Sequence, residues 1–103
     1  GAGIVVPFFN ALLAQALGRA GERAEALALL DNAQTLTEQR GERWHEAELH
    51  RIRGELLSQG PQADLARAEA SVRQALKVAT DQQARQWVRR AQADLDRLLL
   101  LKR

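Results

Sequence analysis

The residue types best suited to chemistry cluster in His45-Glu46-Ala47-Glu48-Leu49-His50. A helical zinc site needs two histidines at i and i+4 on one face. His45 and His50 stand at i and i+5, roughly 140° apart around a helix, so a single ion cannot easily take both. Glu42 and His45, at i and i+3, would supply half of a di-metal carboxylate site, but no second Glu-x-x-His completes it. Asp94 and Asp96 are neighbours only in sequence, because residues two apart on a helix point about 200° away from each other. The chain has no phosphate-cradling glycine loop, no Gly-x-Ser-x-Gly turn, and no nucleophile beside a plausible base. The expectation is a non-enzymatic chain with no cofactor and no metal.

The two histidines belong to the central stretch Arg43 to Leu57, which reads as a helix continuing to about Gln59. Trp44, Ala47, Leu49, Ile52 and Leu56 share one apolar face, and Glu48, Arg51 and Glu55 line another. Gly54 inside this helix costs roughly 1 kcal/mol relative to Ala, which points to a neighbour that must approach closely. Four more helices flank it. The first runs from Pro7 to about Arg19 with Phe8, Leu12, Leu13, Ala16 and Leu17 as its apolar set, and Gly18 and Gly21 bracket the turn that follows. The second carries Ala26, Leu27, Leu29, Leu30, Ala33 and Leu36 and stops near Arg40 at Gly41. The fourth spans about Ala63 to Ala79 with Leu65, Ala68, Val72, Ala75, Leu76 and Val78. The fifth, capped by Thr80 or Asp81, covers about 82–101 with the stripe Trp87, Ala91, Leu95 and Leu98. No period-2 strand of useful length occurs.

With 103 residues the chain forms one domain, and its Ala- and Leu-rich, aromatic-poor composition favours helices. It has no cysteine, which excludes disulfides and thiolate metal sites and fits a reducing compartment, so the cytoplasm is expected. No apolar run approaches a membrane span. Residues 1–6 read as a lead-in, and a start without Met suggests a segment of a longer protein. Residues 1–50 carry four basic and seven acidic side chains against eleven and six in residues 51–103, so the molecule is electrically lopsided.

An internal repeat organises the helices. Ala26-x-x-x-Leu30-x-x-Ala33 recurs 42 residues later as Ala68-x-x-x-Val72-x-x-Ala75. One hairpin cannot bury its apolar face alone, so hairpins 7–40 and 43–80 stack, and helix 82–101 begins a third unit. These small residues, with Gly54 in a first helix and the turn Gly21-Glu22-Arg23, resemble a tetratricopeptide-type repeat array. The run GERWHEAELHRIRGELL is similar to the C-terminal repeat region of large bacterial regulators, which pair an ATPase module with an adenylate-cyclase-like or DNA-binding module. The spacing of 42 departs from the common 34, and residues 86–103 match only loosely. The resemblance implies an all-α, short right-handed solenoid of about five helices in a signalling or transcription regulator.

In that family first helices line a concave side, which would bring Gln15, Arg19, Glu48, Arg51, Glu55, Arg90 and Arg97 to one groove. The repeat maps Glu48 onto Arg90 and Glu55 onto Arg97. A groove of mixed charge suits a protein or peptide carrying both signs, or a neighbouring domain of the same parent chain. Trp44 and Trp87 read as core packing at hairpin junctions, with a partner-facing anchor as the alternative. Leu98, Leu99, Leu100 and Leu101 cannot all face one core, which makes this end a possible homo-oligomer surface. Arg85, Arg89, Arg90, Arg97, Lys102 and Arg103 bias the last helix towards nucleic acid. Asp94 and Asp96 interrupt that stripe and the helices look too long for a helix-turn-helix, so nucleic acid is the less favoured partner.

Overall fold

Five α-helices make up a computed structural model that describes residues 6–41 and 43–102, with the Val6 side chain left aside. Of the expected lead-in over 1–6, residues 1–5 lie outside the described residues, as do Glu42 and Arg103, and Val6 already belongs to the first helix. The helices are α1 (Val6–Arg19), α2 (Arg23–Arg40), α3 (Glu46–Leu57), α4 (Leu65–Asp81) and α5 (Arg85–Leu101). No strand occurs among the described residues, so the all-α class holds. The short α1–α2 and α4–α5 links return each helix along its predecessor.

Helix α3 is the hub, packing against each of the other four. One core cluster joins Ala11 and Ala14 of α1, Ala26, Leu30 and Ala33 of α2, and Leu49, Ile52 and Leu56 of α3. A second joins Leu57 to Ala68 and Val72 of α4 and Leu95 and Leu98 of α5. Each fully buried Leu or Ile contributes roughly 1.5–3 kcal/mol, so α3, with Leu49, Ile52 and Leu56, carries much of the apolar driving force of the first cluster.

Helix α1 turns a different face inward from the one its bulky residues suggest. Pro7, Ala11 and Ala14 are buried, whereas Leu12, Leu13 and Ala16 are exposed. The cause is the close approach of α3. Gly18 is helical, not part of the turn, and a Cβ there would run into the Leu56 side chain. Small residues let the two backbones come together, and the larger leucines are left outside.

Helix α3 starts at Glu46, three residues later than expected, and Trp44 and His45 sit in the preceding turn. His45 is fully buried with Nε2 3.0 Å from Thr37 Oγ1, itself buried and donating to the Ala33 carbonyl at 2.8 Å. The hydrogen bond between His45 Nε2 and Thr37 Oγ1 ties this turn to α2. Helix α2 ends where Gly41, in the left-handed region at φ 71°, donates its N–H to the Thr37 carbonyl. At the other end of α3 the chain passes Gly60-Pro61, and Asp64 caps α4 by accepting from the Arg67 N–H at 3.0 Å. Thr80 and Asp81 belong to α4 and do not cap α5, whose N-cap is Ala84.

Gly54 explains how closely α3 and α4 pair. A Cβ there would overlap the Val72 side chain and lie 3.1 Å from the Ala68 carbonyl oxygen. Val72 is β-branched and stiff, and Ala68 offers backbone, so neither can yield cheaply. Gly54→Ala is therefore expected to destabilise the fold by about 1–3 kcal/mol even though Ala is the better helix former. Val72→Ala in the same chain should recover part of the loss; additive effects in chemical denaturation would rule this contact out as the cause.

Candidate functional site

The polar side of α3 faces a groove walled by α1 and α5, both of which pack on α3. Two adjoining hollows form it. One, of about 400 Å³, is lined by Gln15, Arg19, Arg51, Arg90, Ala93 and Asp94. The other, of about 340 Å³, is lined by Arg19, Glu55, Ser58, Gln59, Arg97 and Leu101. All seven expected groove residues contribute to this side, either as lining or through the ion pairs beneath it.

Glu48, Arg51 and Glu55 do not stand free; they are 2%, 9% and 8% exposed. Arg51 grips Glu48 in a fork, with Nε donating to Oε1 at 3.0 Å and Nη2 to Oε2 at 2.9 Å. Its Nη1 reaches across to Asp94 Oδ2 on α5 at 3.1 Å. Arg90 donates to Glu48 Oε2 at 3.3 Å and Arg97 to Asp94 Oδ1 at 3.1 Å. The pairing of Glu48 with Arg90 joins α3 to α5. On the α1 side, Glu55 accepts from Gln15 Nε2 at 3.1 Å and from Arg19 through Nε at 3.0 Å and Nη2 at 3.3 Å.

Burial opposes the charge on Arg51, and the hydrogen bonds and negative charges of Glu48 and Asp94 override it, so its pKa lies above the ordinary guanidinium value. Arg51 is a permanent cation that links α3 to α5. The outer guanidiniums differ in setting, Arg19, Arg90 and Arg97 being more than half exposed. Their pairs contribute little stability individually, since exposed ion pairs are worth roughly 0–1 kcal/mol.

Comparison with protein-family models, curated proteins and solved structures finds no match. The site is therefore interpreted from its own geometry.

Sequence reasoning misses Ser58, Gln59, Ala93 and, most consequentially, Asp94 as groove residues. It pairs Asp94 only with Asp96, and the two do diverge, Asp96 accepting from Gln92 on the exposed side of α5. The spacing Arg90-x-x-x-Asp94-x-x-Arg97 sets an acid between two bases on one side of a helix, which is the signal that was available. The basic residues of α5 separate onto different surfaces. Arg90 and Arg97 edge the groove, Lys102 bonds Glu69 of α4 at 2.7 Å, and Arg85 and Arg89 line a distinct open hollow with Thr80, Gln83 and Val88. Trp44 and Trp87 stack on each other with centroids 6.0 Å apart, and Phe8 lies 5.3 Å from Trp44. Trp44 remains 47% exposed, so it packs at the junction and also presents surface. No group of three or more potential metal ligands occurs among the described residues.

Two outcomes are expected. Arg51→Leu, which strands Glu48 and Asp94, should cost about 3–5 kcal/mol in equilibrium unfolding. Replacing Glu48, Arg51 and Asp94 together by leucine should cost less; the opposite order would show that the ion pairs are not the source. His50 concerns pH. Burial lowers its pKa, Glu46 opposes that, Arg53 adds to it and Glu38 opposes it, the net shift being downward from 6.5. The unfolded chain then takes up this proton first, so the contribution is complete above pH 6.5 and is lost as pH falls through the lower folded value. Thermal melts should show that loss, and His50→Gln should flatten it; an unchanged pH slope in the variant would exclude His50.

Proposed function

We propose that this chain is a non-enzymatic protein-interaction or intramolecular regulatory module whose ligand lies in the groove between α1 and α5, over α3. The observation that carries the reading is that polar side chains from three helices converge on one open concavity while the ion pairs beneath them hold its floor fixed. A preorganised groove binds without having to order its own side chains. Its carboxylates already accept from guanidiniums, which suits them to positioning more than to proton transfer.

The architecture proposed for it is a short TPR-like right-handed stack of antiparallel hairpins. In support, α3 touches both α1 and α5, each helix also packs on its chain neighbour, and no packing joins α2 to α4 among the described residues. That is the pattern expected when first helices line one side and second helices diverge on the other. The overall dimensions, 45 × 31 × 17 Å, suit a slab of two helical layers. The resemblance of GERWHEAELHRIRGELL leads us to place the module in a larger bacterial signalling or transcription regulator in the cytoplasm. Among the described residues no helix is long and apolar enough to cross a membrane.

A second reading, self-association, has its own support in Leu99, Leu100 and Leu101, which are 40%, 62% and 58% exposed, whereas Leu98 is buried. Nucleic acid is less favoured because the basic residues of α5 are spread over separate surfaces.

Both readings are open to direct test. A photo-crosslinking residue at Ala93, in the groove, should yield protein adducts that the same residue at Ala70, exposed on α4, does not; equal adducts from both would remove the groove reading. Light scattering over about a tenfold concentration range decides the second reading. A mass that rises above the monomer and falls in Leu99→Glu and Leu100→Glu would establish assembly through this end, and a constant monomer would reject it.

A further inference from the structure

The hydrogen-bond valence of the groove is one-sided. Every carboxylate oxygen in it already accepts a bond: Glu48 from Arg51 and Arg90, Asp94 from Arg51 and Arg97, and Glu55 from Gln15 and Arg19. The guanidiniums are far from saturated. Among the described residues Arg90 donates through Nη1 alone and Arg97 through Nη2 alone, and each offers a fork of several N–H groups. Both remain 61% exposed and Arg19 63%, whereas Glu48, Glu55 and Asp94 are nearly covered. A face of mixed charge by sequence thus presents, at its floor, buried acids whose oxygens are each already bonded and, at its rim, unused cationic donors.

Resting on the groove reading above, we infer that the occupant is an acidic peptide segment whose Asp or Glu carboxylates take up the free donors of Arg19, Arg90 and Arg97. A basic segment would meet guanidiniums at the rim and would have to compete with Arg51 for Glu48 and Asp94, or with Gln15 and Arg19 for Glu55. Charge-assisted bonds from a fork-shaped donor favour carboxylates in particular. Arg90 and Arg97 lie two turns apart on α5, about 10.5 Å along its axis. A peptide in the polyproline II conformation, with three residues per turn and about 3.1 Å per residue, spans nearly that length with carboxylates three residues apart on one side. Ala93, one turn on from Arg90 and one turn before Arg97, lines the hollow beside Arg90, so a small apolar residue between the acids has surface to rest on.

The amount of charge favours a peptide over nucleic acid. Four guanidiniums, Arg19, Arg51, Arg90 and Arg97, face three carboxylates, Glu48, Glu55 and Asp94, leaving a single surplus positive charge. That is enough to select against cations but small for a polyphosphate, whose affinity comes from neutralising many phosphates at once.

Fluorescence anisotropy on the full chain tests this with four labelled probes of about a dozen units: a Glu-Leu-Ser repeat, its Lys-Leu-Ser and Gln-Leu-Ser counterparts, and oligothymidylate. The Glu peptide should bind most tightly. Arg90→Gln with Arg97→Gln should weaken it about tenfold or more, the loss of roughly 1.4 kcal/mol. Arg85→Gln with Arg89→Gln, which removes the same charge outside the groove, should leave it nearly unchanged. Selectivity on the unaltered chain stands independently if the groove variant proves unstable. Equal or tighter binding of the Lys or Gln peptide, or an equal loss from the outer pair, would overturn the acidic assignment. Tighter binding of oligothymidylate would replace it with nucleic acid. If no probe binds while Ala93 still crosslinks protein, the acidic class fails and the groove reading survives; if Ala93 and Ala70 crosslink alike, the groove reading itself fails.

Discussion

A helix enclosed by four neighbours has almost no side on which to leave an unpaired charge, and that constraint shapes this molecule. Helix α3 meets α2 and α4 with Leu49, Ile52, Leu56 and Leu57, and its remaining surface carries Glu48, Arg51 and Glu55. Those three are buried, so they require partners. Glu48 and Arg51 satisfy each other in a fork, Asp94 arrives from α5, and Gln15 and Arg19 arrive from α1. Helices α1 and α5 are thereby tied to the central one by polar bonds in addition to the apolar clusters. The groove is a consequence of that arrangement.

Close approach of backbones is the second condition. Gly18 admits Leu56, and Gly54 admits Val72 and the Ala68 backbone, so each glycine serves an interface with a different neighbour. Alanines at Ala11, Ala14, Ala26, Ala33, Ala68, Ala75 and Ala79 extend the same thin packing along the helices. Cores built this way gain from density more than from large side chains, and they tolerate little added volume. The bulk displaced from these seams appears on the outside, as Phe9, Leu12 and Leu13 on α1 and Leu99 to Leu101 on α5.

The groove inherits its properties from the way those requirements are met. Carboxylates fixed beneath guanidiniums cannot readily act as acceptors for a ligand, and the guanidiniums retain donors directed outward. Rigidity comes from Arg51, the only one of the four groove arginines that is buried, and in the proposed function recognition falls to the three at the rim. A division of this kind permits rim contacts to change while the scaffold beneath them is kept.

Much of the fold was legible along the chain. Apolar spacing and the glycines marked five helices within a few residues, and Gly54 signalled a close neighbour. These features are local or periodic, so they survive in a linear sequence. The inward face of α1 was not legible, because Ala11, Ala14 and Gly18 offer a thin face and Leu12 and Leu13 a bulky one, and only the distance to α3 chooses between them. Nor was the start of α3, where His45 in the preceding turn meets Thr37 of α2. The fate of the groove charges was the largest difference. Periodicity treats a charged stripe as solvent-facing, and the burial of Glu48, Arg51, Glu55 and Asp94 arises only when α1 and α5 close over α3. By itself the sequence determined which residues share a face; tertiary structure decided which faces are covered, because burial is a property of neighbours and the energy of a charge depends on what surrounds it.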